Sequence, residues 1–67
     1  MKKEIFDFSE ALRRMKEGKK VRREIWEECR AYIYIVGMTI WAVCDEQMFP
    51  CVFKDSEDIL ATDWEEV

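Results

Sequence analysis

Gly18-Lys19-Lys20-Val21-Arg22-Arg23-Glu24-Ile25-Trp26 is the stretch that decides how this chain folds. Gly18 falls where an amphipathic pattern ends, so a helix stops there and an extended element begins. Four cations occupy the five positions 19–23, and Trp26 follows three residues after Arg23. In a strand, alternate side chains share a face, which puts Lys20 and Arg22 on one side and Val21 and Arg23 on the other. Two readings stand. One is a solvated basic strand with Trp26 in the core, the ordinary fate of a charge run. The other is a set of cations beside an aromatic platform: arginine forks suit phosphate, and the indole face suits a base or sugar ring.

Upstream, Asp7 has the place of a helix N-cap, with Glu10 three residues later as in a capping box. Phe8, Ala11, Leu12 and Met15 repeat at i, i+3, i+4, i+7, so the spacing predicts an amphipathic helix over Phe8–Glu17. Downstream, Lys19–Arg23 reads as a short strand and Glu24–Arg30 as a charged connection. Ala31–Val36 is aromatic and β-branched throughout and reads as a strand. Gly37-Met38 turns the chain into a second strand at Thr39–Val43, and Asp45-Glu46-Gln47 turns it again. Met48–Phe53 reads as a third apolar strand, with Pro50 arguing for a sheet edge or a bulge. Asp55 or Ser56 is placed to cap a short helical turn through Ile59-Leu60, and Thr62–Val67 reads as a final strand with Trp64 inward. The sum is an α+β fold, one N-terminal amphipathic helix packed on a small antiparallel sheet, in a single domain spanning residues 1–67.

Composition narrows the function. The 67 residues are 49% hydrophobic, with three Trp, four Phe and two Tyr, more bulky apolar surface than a core this small hides. Self-association is the expected remedy. Cys29, Cys44 and Cys51 form no CxxC pair and there is no histidine, so neither a disulfide frame nor a metal site is expected. The thiols read as reduced and structural. Residues 1–30 carry a balance of +3 and residues 31–67 one of −7, for a net charge of −4. An acidic chain with a confined basic patch suits a small anionic ligand better than DNA or RNA, which reward broad basic surfaces.

The most apolar run, Ala31–Cys44, is fourteen residues, short of the roughly 20 that a membrane-spanning helix needs. A soluble protein that stays where it is made is the expectation. Catalysis has little to work with: no histidine for a general base, and only Gly18 and Gly37 to build a phosphate loop. No enzyme activity and no cofactor are expected. Tyr32, Tyr34, Trp41 and Trp64 read as core or interface packing. Asp63 is read as a cap for backbone amides or as a ligand contact.

Several blocks resemble a known family. Phe8-Ser9-Glu10-Ala11-Leu12, then Lys16–Arg23 with Trp26 three positions on, resembles the opening of the phage Thoeris anti-defence type-two proteins. Tyr32-Ile33-Tyr34-Ile35-Val36 and Asp58-Ile59-Leu60-Ala61-Thr62-Asp63-Trp64-Glu65 match that family's later blocks, in its order. The resemblance implies a non-enzymatic sponge, a small α+β domain assembling as a homodimer or homotetramer. Such proteins sequester cyclic-nucleotide or cyclic-ADP-ribose-type immune messengers, uncleaved, in pockets between protomers. It implies a phage or prophage origin and a place in the cytoplasm of an infected bacterial cell. On this reading Trp26 stacks on a base, Arg22 and Arg23 hold phosphates, Lys20 or Lys19 assists, and Asp63 completes the ligand set. The chain departs from many relatives in having Glu27-Glu28 after the tryptophan and a shorter region between Val36 and Ser56. Those two anions must point away from a bound phosphate or pair with Arg22, Arg23 or Arg30. The alternative function is an anti-CRISPR-like inhibitor that blocks a bacterial defence complex by protein contact alone. A structural oligomer with no small-molecule site is the third.

Overall fold

The structure, a computed structural model, describes residues 4–51, 53 and 56–67. The first helix, α1, spans Phe8–Lys16. Asp7 caps it, its Oδ1 accepting the Glu10 N–H at 3.0 Å. The Glu10 carboxylate is engaged along the helix by Arg13 and Arg14. At the other end Gly18, at φ 92, reverses the chain in a Schellman arrangement. Its N–H donates to Met15 O and the Lys19 N–H to Arg14 O. That second bond explains why the strand expected from Lys19 begins two residues later.

Five strands follow: β1 Val21–Arg23, β2 Tyr32–Val36, β3 Thr39–Cys44, β4 Gln47–Pro50 and β5 Trp64–Glu66. All neighbours are antiparallel, in the order β4-β3-β2-β1-β5. The expected helix on an antiparallel sheet is what forms. The basic stretch therefore lies inside the sheet, flanked by β2 and by the acidic C-terminal strand. Phe6 pairs with Trp64 through two backbone bonds, covering the β5 edge at that point. β4 is the opposite edge, which accommodates Pro50 as its last residue. Of the longer strand expected through Phe53, Cys51 and Phe53 are not strand, and Val52 lies outside the described residues.

One detail was not anticipated. Residues 24–30 are not a plain connection: Glu24–Cys29 forms a 3₁₀ helix closed by Arg30 in the left-handed region. The short helix α2, Glu57–Leu60, starts at Ser56 without a side-chain cap bond, and Asp55 lies outside the described residues. The core sits between α1 and one sheet face. Ala11, Met15, Val21, Ile33 and Trp64 are its fully enclosed apolar residues among those described. Phe8 packs against Trp64 with ring centroids 5.2 Å apart, and Trp26 meets Trp64 edge-on at 5.2 Å. The Trp64 Nε1–H donates to Asp58 O at 2.9 Å, so the buried indole is satisfied.

Candidate functional site

Register decides which side chains can act together. Paired residues in an antiparallel sheet share a face. Val21, Arg23, Ile33, Ala42 and Trp64 face the helix. On the other side lie Arg22 paired with Glu65, Tyr32 with Val43, Tyr34 with Trp41, and Val43 with Met48. Extending the Val21–Ile33 register sets Arg22 beside Tyr32 and Lys20 beside Tyr34. No helix among the described residues lies over this second face.

The five residues singled out in the sequence fall into two groups. On the helix side, Arg23 is 8% exposed and is held by two acids. Its Nε donates to Asp63 Oδ1 at 2.8 Å and its Nη1 to Asp58 Oδ1 at 2.7 Å, with Glu57 at 3.9 Å. The Asp63 hydrogen bond, more than the opposing cost of burial, raises the already high pKa of this guanidinium. Arg23 and Asp63 thus bind each other, and the Asp63 carbonyl also accepts the Glu24 N–H. Trp26 is on the same side and half-buried. Beyond its edge contact with Trp64, it lines a groove of about 300 Å³ with Cys29, Cys44, Cys51, Phe49 and Phe53. Burial, seconded by the charge of Asp58, pushes the Cys51 thiol up, whereas Cys29 is exposed.

The second group is on the open face. Arg22 Nε donates to Glu65 Oε2 at 2.8 Å, and its Nη2 stands 4.0 Å from Glu27 Oε1. Glu27 thus does what an anion after the tryptophan had to do, leaning toward Arg22. The Lys20 ammonium stands over two rings, 5.3 Å from the Tyr32 centroid and 5.8 Å from that of Tyr34. Those rings are neighbours, 6.1 Å apart, and the Tyr34 hydroxyl donates to Met48 Sδ at 3.5 Å. A cation beside an aromatic platform therefore does exist. Its rings are Tyr32 and Tyr34, with Trp41 opposite Tyr34, and Trp26 is on the far side of the sheet.

Sequence reasoning put Tyr32, Tyr34 and Trp41 in a core or an interface; within this chain they are half-buried on the uncovered face. The signal for that was their i, i+2 spacing opposite the enclosed Ile33. It missed Asp58 and Glu65 as the arginines' partners, because both are 35 or more residues away along the chain.

Fold and face together define a class: a small helix-on-sheet domain with one sheet face left open and lined by rings and cations. The family model of the Thoeris anti-defense 2-like (Tad2-like) domain matches residues 6–67, and the chain belongs to that family. It is an anti-defence domain, as the blocks around Val21–Trp26 and Asp63–Glu65 implied. No curated protein and no solved structure gives a significant match.

Proposed function

We propose that this anti-defence domain acts by binding an anionic signalling nucleotide of a bacterial immune system and holding it uncleaved. The observation that carries the reading is Lys20 over the paired rings of Tyr32 and Tyr34 on an uncovered sheet face. Sheet-surface aromatics stack bases because every base has a π-face, and an adjacent cation supplies the charge for phosphate. The lack of any histidine supports holding over cleaving. Copies of the chain assemble, and the ligand is enclosed where they meet, which spares a small domain from building a deep pocket alone.

Calorimetric titration with cyclic ADP-ribose and cyclic di-AMP tests this reading. A bound ligand should be recovered chemically intact after heat denaturation of the protein. Lys20→Ala should weaken binding, and Tyr34→Ala should weaken it by about 1–3 kcal/mol, the range of base–aromatic stacking. Absence of binding at millimolar ligand, or recovery of a hydrolysed product, would overturn it.

A further inference from the structure

Among the described residues three non-glycine residues adopt a left-handed backbone: Arg30 (φ 55), Asp45 (φ 51) and Glu46 (φ 66). All three line one hollow of about 340 Å³, together with Tyr32 and Val43 at one end of the open face. Stability argues against two of them, Arg30 and Glu46. Asp45 and Glu46 form the two-residue turn between β3 and β4, a turn that favours Asn-Gly or Asp-Gly, so Asp45 suits its place and Glu46 stands where glycine is preferred. Arg30 closes the 3₁₀ helix where glycine is the natural residue. Two charged side chains, Arg30 and Glu46, stand where the backbone prefers glycine, and strained residues gather at binding sites.

Their charges are also complementary in an unusual way. The Arg30 N–H is used, donating to Glu27 O at 3.2 Å, but its guanidinium has no ion pair or hydrogen bond among the described residues. Five donors thus belong to a residue that lines the same hollow as Tyr32, whose ring also lies under the Lys20 ammonium. The two carboxylates next to Arg30 would repel a bare phosphate, and a neutral sugar would leave the guanidinium unused. A ribonucleotide presents both kinds of group on one furanose ring.

We propose that this hollow receives the ribose-phosphate portion of a ribonucleotide whose base lies on the open face. Arg30 forks the phosphate, Tyr32 walls the ring, and the Asp45 and Glu46 carboxylates accept hydrogen bonds from ribose hydroxyls, as an acidic residue does in dinucleotide-binding folds. This rests on the reading that the protein holds an anionic nucleotide, and it adds that the nucleotide must carry a free ribose hydroxyl.

The test uses the full chain, calorimetry and thermal melting. The probes are ADP-ribose, cyclic ADP-ribose, cyclic di-AMP and the 2′-deoxy analogue of cyclic di-AMP. The variants are Arg30→Gly and the double change Asp45→Asn with Glu46→Gly, each supplying what the backbone prefers. Melting temperature should hold or rise in both variants while affinity for the ribonucleotides falls about tenfold or more, the worth of one charge-assisted hydrogen bond. Wild type should bind cyclic di-AMP more tightly than its deoxy analogue, and the double variant should not tell them apart. Unchanged affinity in both variants would discard the hollow and leave nucleotide sequestration standing. A loss of affinity accompanied by a fall in melting temperature would make these residues structural and also discard the hollow. No binding of any probe by wild type would discard both.

Discussion

Arg23 and Arg22 look alike in the sequence and differ in what they hold. Removing Arg23 would leave Asp58 and Asp63 facing each other beside Glu57, with no cation between them. Breaking a fully enclosed ion pair costs about 3–5 kcal/mol, and the partial exposure of both aspartates lowers that to about 2–3 kcal/mol here. Arg23→Ala should therefore shift the urea midpoint by that amount without changing the slope, and Arg23→Lys should recover only part, since an ammonium cannot fork two carboxylates. Wild-type stability in Arg23→Ala would show that the cluster contributes nothing. Glu10 supplies a pH handle. Hydrogen bonds from Arg13, then Arg14, lower its pKa from the ordinary 4.5 to about 2. A carboxylate depressed in the folded state stabilises it above the unfolded value, and that contribution is lost as pH falls from 4.5 toward 2, because the unfolded chain takes up the proton first. The melting-temperature gap between wild type and Glu10→Gln should thus be constant above about pH 5 and narrow steadily in acid. A gap that stays constant down to pH 2 would contradict the assignment.

The helix α1 was legible because its determinants are local: a cap at Asp7, an apolar stripe at helical spacing, and a glycine stop. Gly18 at φ 92 makes the stop testable, since a Cβ there meets no atom within 4 Å and only the backbone conformation resists it. Gly18→Ala should cost about 1 kcal/mol in thermal unfolding. A neutral effect would mean that the Schellman bonds are dispensable. The strands β2 and β3 were equally legible from β-branched and aromatic runs around Gly37. The 3₁₀ helix over Glu24–Cys29 was not, because nothing in Glu-Ile-Trp-Glu-Glu-Cys has a helical period. Its position is fixed from outside, by Trp26 against Trp64 and by the Glu24 N–H bonding to Asp63 O. The same limit applies to the site. A stretch of four cations shows that anions must come to it, and the sequence does not say whether they belong to a ligand or to the chain's own C-terminal strand. The pairing of β1 with β5 answers for two of the four: Arg22 and Arg23 are held by acids of residues 57–65. Lys20, by contrast, stays over the half-buried rings of Tyr32 and Tyr34.

At the scale of the whole molecule, part of the charge asymmetry between the two halves is consumed internally. Arg14 reaches Glu4 and Glu66, Arg22 reaches Glu65, and Arg23 reaches Asp58 and Asp63, so the acidic tail neutralises the basic strand it lies against. Apolar surface is not consumed in the same way. Five apolar residues are enclosed among those described, while Ile25, Met48, Phe49 and Leu60 are 46–76% exposed. The open face adds Tyr34 and Trp41, which no helix among the described residues covers. Covering apolar surface is worth roughly 25 cal/mol per Å², and a stable interface buries about 800 Å² on each partner, which an open face of this kind, together with its rim, is suited to supply. We therefore expect a dimer or tetramer at micromolar concentration, built through the face that carries Trp41 and Met48. Sedimentation should give two or four times the 8.1 kDa of one chain. Trp41→Glu with Met48→Glu should return the mass to a single chain while circular dichroism keeps its wild-type shape, since neither side chain belongs to the enclosed core. The charged substitutions place two carboxylates where a second copy would bring its own, and like charges at an interface cost several kcal/mol. A wild-type mass of one chain across the micromolar range defeats the expectation outright. An unchanged oligomer in the double variant moves the interface elsewhere, to the groove side with Phe49 and the exposed Leu60, and frees the open face for the ligand alone.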